Sequence, residues 1–219
     1  EISGVSTYTC ASVCGGLQAA SRFATILGKY NHAHSYSLAV SELVKSMRSY
    51  LFDTEMNSFV RGLQVEGISV KKLRVVDSSS LFGLWYYEVM DRKDPMFIGT
   101  QKAVEERLHL KDGIGGFIRY ENDFYYKDDK SSKPNPWIVT TMWEVQRKMK
   151  FSETVDELKT LGEELNWVID RMGDLPVMAE QFNPDTGAPL SAMPLAWSHS
   201  VFVETVLLYI ERMQQLTIT

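Results

Sequence analysis

With 219 residues, 44% of them apolar and 23% charged, the chain has ordinary globular composition and can bury a substantial core. A formal net charge of −5 with no Lys/Arg-rich run excludes nucleic acid and anionic membrane as partners, because both need a concentrated basic surface. No apolar run approaches the roughly 18 residues needed to span a bilayer, and the opening EISGVSTYTC lacks the basic-then-apolar layout of a signal peptide.

The dominant period along the chain is helical. Val5, Val13, Leu17, Ala20, Phe23 and Leu27 fit one face of a first helix that Gly28 can cap. Within it Cys10 and Cys14 lie four apart on one face. That is a poor geometry for a disulfide, and the four histidines at 32, 34, 109 and 199 do not complete a metal set, so two buried, inert thiols are expected. A second helix runs from about Ala33 to Tyr50. Residues 51–63 read as a turn with short extended pieces, Asp53 and Asn57 turning and Phe59 and Val60 pairing or packing, and 67–77 as a strand or a loop.

Helices then resume. Ser78–Ser80 offer N-caps for a helix through about Met90, and Asp94-Pro95 starts another to about His109. Residues 113–136 form a long irregular stretch rich in glycine and aromatics. Pro136 suits the first position of a helix through about Met149, and Ser152-Glu153 opens one whose apolar face is Val155, Leu158, Leu161, Leu165 and Val168. A last helix spans about Leu195 to Met213. With no repeat and no low-complexity linker, residues 1–219 read as a single domain. Its long loops, near residue 1 and at 51–77, 111–135 and 173–194, alternate with short connections, as in a barrel of helical hairpins.

One acid stands out. In LPVMAEQFNPDTG (175–187), Glu180 is flanked by Met178, Ala179 and Phe182, and no basic residue lies within four positions. A pocket-edge carboxylate fits that setting, and so does an ordinary loop or capping glutamate. Arg119, Tyr120, Glu121 and Asp123 make a polar knot between Ile118 and Phe124: the arginine fork could hold sugar hydroxyls or pair internally with Glu121 or Asp123. GIGG at 113–116 lacks the Gly-Lys-Ser/Thr of a phosphate loop, and its glycines are expected to let backbone turn close to bound sugar. Trp85, Tyr86 and Tyr87 could line a subsite but on a helix are more often core.

Three segments carry a family resemblance. MAEQFNPDTGAPLSAMPLAWSH (178–199) resembles the catalytic-base segment of glycoside hydrolase family 15, the inverting glucoamylases, glucodextranases and trehalases. GIGGFIRYENDFYY with NPWIVTTMW (113–143) resembles that family's sugar-binding loop and the helix after it, and residues 1–28 resemble the stretch following its Trp-Glu-Glu acid motif. The resemblance covers essentially the whole chain. It implies an all-α (α/α)6 barrel with about seven of about twelve helices present, the chain forming the C-terminal part of the catalytic domain.

It further implies Glu180 as general base and Glu1, Arg119, Tyr120, Glu121, Trp137 and Gln181 as substrate-binding residues. Trp137 could equally be a core residue at a helix start. Glu1 aligns with the second glutamate of the acid motif, so the general acid would stand one position upstream; a one-residue shift would make Glu1 itself the acid. Inversion needs two carboxyl groups roughly 6.5–9.5 Å apart, one protonating the leaving oxygen and one activating water. No cofactor or metal is implied, and the partners expected are an α-glucan and either an N-terminal half or a second copy. A non-catalytic carbohydrate-binding or assembly module is the alternative. His199 is expected to be a hydrogen-bonded structural residue. The compartment is left open, the cytoplasm being slightly favoured.

Overall fold

The structure is a computed structural model that describes residues 4–127, 131 and 133–218. It divides into two compact units, Glu1–Arg107 and Leu108–Thr219. Helices make up most of the regular structure of both, and no helix among the described residues is long and apolar enough to cross a membrane.

In the first unit, helix α1 (Thr7–Ile26) starts where the Ser6 hydroxyl accepts the Thr9 amide and ends before Gly28, whose φ of 68° the missing Cβ makes easy. Helix α2 (Tyr30–Ser46) folds back on it, the Ser21 hydroxyl donating to the Ala33 carbonyl at 2.9 Å, and continues as a π-helical turn over Met47–Leu51. The expected apolar face of α1 is reversed. Thr7, Cys10, Ala11, Cys14 and Ala24 are buried, while Val13, Phe23 and Leu27 are exposed. Small side chains won the inner face because helix α3 (Ser78–Tyr86) lies so close that a Cβ on Gly83 would stand 2.9 Å from that of Ala11. Trp85 is core, only 5% exposed.

The segment between these helices folds into strands. A β1 strand (Gly4–Ser6) pairs antiparallel with β4 (Gly62–Glu66), which pairs with β5 (Ser69–Leu73) around Gly67 at φ 61°; β2 (Phe52–Asp53) pairs with β3 (Ser58–Phe59). Asp53 turns the latter hairpin by accepting the Glu55 and Met56 amides, as its sequence suggested. Helix α3 is capped by Asp77 rather than by the serines after it, its carboxylate accepting the Ser79 amide at 2.8 Å, and it stops at Tyr86 ahead of Glu88 at φ 52°. Helix α4 spans Pro95–Leu108.

In the second unit, α5 (Ile138–Phe151) is buried on all sides from Ile138 through Arg147. Its polar members are paired: Glu144 with Arg147 at 2.9 Å, and the Gln146 amide with the Thr205 hydroxyl at 3.0 Å on α8 (Ala196–Ile218). Helix α6 (Val155–Glu163) opens at Thr154, not Ser152, through a reciprocal capping box with Glu157. The single helix expected to reach Val168 instead breaks after Glu163 into a short α7 (Asn166–Ile169).

Burial pushes the Cys10 thiol up, and the Cys14 thiol, buried beside it, up to about 11. The thiolate is the reactive form. Both cysteines should therefore resist alkylation in the folded chain near neutral pH and react only on unfolding, which mass spectrometry after iodoacetamide treatment with and without denaturant checks.

Candidate functional site

The chemistry-bearing segments of the second unit meet on a ladder of very short extended pieces at the start of α5. Ile118 bridges Pro136, and Trp137 bridges Gln181, both antiparallel. Strand β6 (Gln181–Phe182) continues the ladder to β7 (Pro189–Leu190). The Trp137 amide donates to the Phe117 carbonyl at 3.0 Å, the Phe182 amide to the Pro136 carbonyl at 3.1 Å and the Ile138 amide to the Glu180 carbonyl at 3.3 Å. The first turn of α5 secures the near edge: Thr141 accepts the Phe117 amide and Thr140 donates to the Phe117 carbonyl. Pro136 thus lies in the ladder, and the helix begins two residues later than its sequence suggested.

Glu180 sits at the head of the β6–β7 hairpin. The hairpin's turn is shaped by Asn183, whose side-chain oxygen accepts the Asp185 and Thr186 amides, both at 3.0 Å. Met178, Ala179 and Phe182 are buried, which accounts for the apolar residues around this acid; Glu180 itself is half-buried. Its Oε2 accepts a short hydrogen bond from the Ser191 hydroxyl and a 3.4 Å bond from the Gln181 amide. Among the described residues nothing hydrogen-bonds Oε1. Gln181 is fully buried and its other end accepts from Asn135 at 2.8 Å, so its side chain braces the acid.

On the ladder's other edge, Arg119 makes a two-pronged contact with Asp123, both bonds 2.9 Å, and its Nη2 donates to the Tyr120 hydroxyl at 3.2 Å. Burial lowers the guanidinium's pKa, but the Asp123 carboxylate and the Tyr120 hydroxyl outweigh it and hold the value above the ordinary one. The guanidinium carbon lies 4.3 Å from the centre of the Trp137 ring, 4.7 Å from that of Tyr120 and 5.4 Å from that of Tyr125. Trp137 is 3% exposed, and its buried indole N–H finds no acceptor among the described residues. Glu121 is half-buried at the same turn. Trp137 is the hinge of the arrangement: its ring carries Arg119, its backbone carries Gln181, and the next amide holds Glu180.

Of the residues singled out in the sequence, the structure brings Glu180, Arg119, Tyr120, Trp137 and Gln181 to one ladder; Ser191 and Asn135, whose contacts span 11 and 46 residues, were not among them. Glu1 lies outside the described residues. Among those described, no group of three or more His, Cys, Asp or Glu is placed to hold a metal ion. The expectation for the 113–116 glycines is corrected: they let the backbone pass protein. A Cβ on Gly113 would stand 2.2 Å from the Pro184 carbonyl oxygen, and one on Gly116 2.5 Å from the Trp167 ring. Trp167 in turn donates its indole N–H to the Ile114 carbonyl, and the Ile114 amide donates to the Pro184 carbonyl. With φ at +87° as well, Gly116→Ala should cost about 2–3 kcal/mol. Chemical denaturation followed by tryptophan fluorescence measures it.

Comparison with known proteins places the chain in a family. The model of glycosyl hydrolases family 15 matches residues 1–150 and 144–207. An uncharacterized glycosyl hydrolase of Methanocaldococcus jannaschii is 28% identical over 212 residues, 91% of this chain and 32% of that protein. Trehalase 2 of Sulfolobus acidocaldarius is 27% identical over 129 residues, 59% of this chain and 20% of that one. The chain thus spans a third or less of the length of these curated relatives. Among solved structures, a bacterial glucoamylase complexed with acarbose superposes with a TM-score of 0.78 at 22% identity, over 95% of this chain and 34% of that one, which shows a shared fold. The chain belongs to glycosyl hydrolases family 15.

Proposed function

We propose that this chain supplies the base-bearing part of an inverting, exo-acting α-glucoside hydrolase. In this reading it forms the C-terminal part of an (α/α)6 barrel and releases β-glucose from the non-reducing ends of α-glucans. The observation that carries the reading is the state of the Glu180 carboxylate: one oxygen is tethered by Ser191 and Gln181, the other takes no hydrogen bond among the described residues, and the backbone is pinned to the tryptophan over which Arg119 lies. A general base needs an oriented carboxylate with one oxygen open to water.

In the mechanism, the open Oε1 removes a proton from a water that attacks the anomeric carbon from the face opposite the leaving group. Ser191 keeps Oε2 fixed while charge moves onto the water. Arg119, held over the Trp137 ring and doubly bonded to Asp123, presents its remaining N–H edge to sugar hydroxyls with little reorganisation. Tyr120 and Glu121 complete the sugar contacts, while Trp137 and Gln181, both buried, act through Arg119 and Glu180. Glu1 binds substrate beside a general acid one position upstream of it, and the reaction calls for no cofactor.

Trehalose is the second substrate to weigh, because Trehalase 2 of Sulfolobus acidocaldarius is among the relatives. Proton NMR of maltotriose and of trehalose decides between them. The folded 219-residue chain alone should leave both intact. The same residues preceded by a family 15 N-terminal half should cleave one of them, maltotriose giving β-glucose first or trehalose giving α- and β-glucose in equal amounts; α-glucose alone at first would overturn inversion. In that protein Glu180→Gln should lower kcat by about 10²–10⁴-fold. Ser191→Gly, which suits the positive φ of 65° at that position but removes the hydroxyl, should lower kcat about 10-fold with KM little changed.

The isolated chain should also self-associate, since Val13, Phe23 and Leu27 on α1 and Leu38 on α2 stand exposed. Light scattering across a dilution series would show an average mass above that of the monomer, falling as the chain is diluted.

A further inference from the structure

The three residues before α8 and in its first turn grip the backbone immediately ahead of Glu180. The Leu195 amide donates to the Met178 carbonyl at 2.9 Å, and the fully buried Ser198 hydroxyl donates to the Ala179 carbonyl at 2.7 Å. The Met178 amide donates to Nε2 of His199 at 3.0 Å. Beyond the acid, the Glu180 amide donates to the Ala192 carbonyl at 2.9 Å. Of the groups on α8 in this set, only the imidazole is an acceptor for a backbone N–H, and it meets that N–H two residues before the carboxylate.

We propose that His199 is a positioning residue for Glu180, its Nε2 latching the Met178 amide so that the base segment is anchored to α8. The proposal rests on the reading of Glu180 as general base. It deepens that reading by naming what fixes the carboxylate's segment from behind, while Ser191 fixes it from the side. Losing the latch would leave the Met178 N–H buried without a partner, in a residue 6% exposed, and a buried unpaired donor drives local opening. The segment that would open carries the acid. The latch also dictates the ring's tautomer: an Nε2 that accepts cannot carry the proton, so the neutral ring holds it on Nδ1.

Nitrogen-15 NMR of the folded chain reads this directly, with the His199 signals assigned by their loss in His199→Gln. The expected result is the Nδ1–H tautomer; an Nε2–H tautomer overturns the latch. Amide hydrogen exchange then separates positioning from mere packing. In His199→Leu, which lacks an acceptor, exchange at Met178 and at Glu180 should rise together by about 2- to 10-fold. His199→Gln, whose carbonyl oxygen takes the place of Nε2, should restore both. A rise at Met178 alone, or equal effects of leucine and glutamine, overturns the positioning role.

In the hydrolytically competent protein, His199→Leu should lower kcat with KM unchanged and His199→Gln should recover it. A loss that merely follows the folded fraction overturns the proposal. If no sugar is cleaved by the unmodified protein, the reading of the activity fails, and the tautomer and exchange results still decide the latch.

Discussion

The site depends on a set of backbone hydrogen bonds that belong to no long strand. Phe117, Pro136, Trp137, Glu180 and Phe182 exchange amides and carbonyls at the mouth of α5, and the two threonines of that helix's first turn satisfy both polar groups of Phe117. Buried backbone groups must be paired. Here that requirement is met across segments separated by up to about 60 residues, so meeting it brings three distant motifs to one place. The aromatic and charged side chains are then arranged on a frame whose position is already fixed.

The core beneath that frame is α5. A helix buried on every side cannot show an amphipathic stripe, and its sequence reads as mixed because its polar residues pair within it, as Glu144 does with Arg147, or with Thr205 of α8, as Gln146 does. A buried ion pair of this kind contributes little net stability but makes removal of either partner costly. What ties α5 to its neighbour is Gln146, whose side-chain amide donates to the Thr205 hydroxyl and the Val201 carbonyl of α8.

Much of this was legible in the sequence where local chemistry decides the structure. Gly28, Asp53, Asn57 and the Asp94-Pro95 start behave as their residue types dictate, and Glu180 among apolar neighbours proved to be a half-buried acid with buried flanks. The readings that failed were decided by tertiary packing. The inner face of α1 is chosen by how close α3 approaches, which favours Cys and Ala over Phe and Leu. The β6–β7 hairpin has two-residue strands, too short to show any period. His199 reads in sequence as a structural residue without chemistry of its own, because its partner is a backbone amide 21 residues away that no side-chain pattern reports.

The hairpin that bears the acid also works as a ruler. Gln181 faces Leu190 and Phe182 faces Pro189, and the turn closes through Asn183 and Ala188, so the spacing from Glu180 to Ser191 is set by one register and one turn. Side chains alternate between faces along a strand, so a single inserted residue reverses which face each one occupies. A residue inserted in either strand would therefore part the acid from its serine, and the turn, held by the Asn183 side chain and passing Gly187 at a φ of 73°, tolerates little change of residue type.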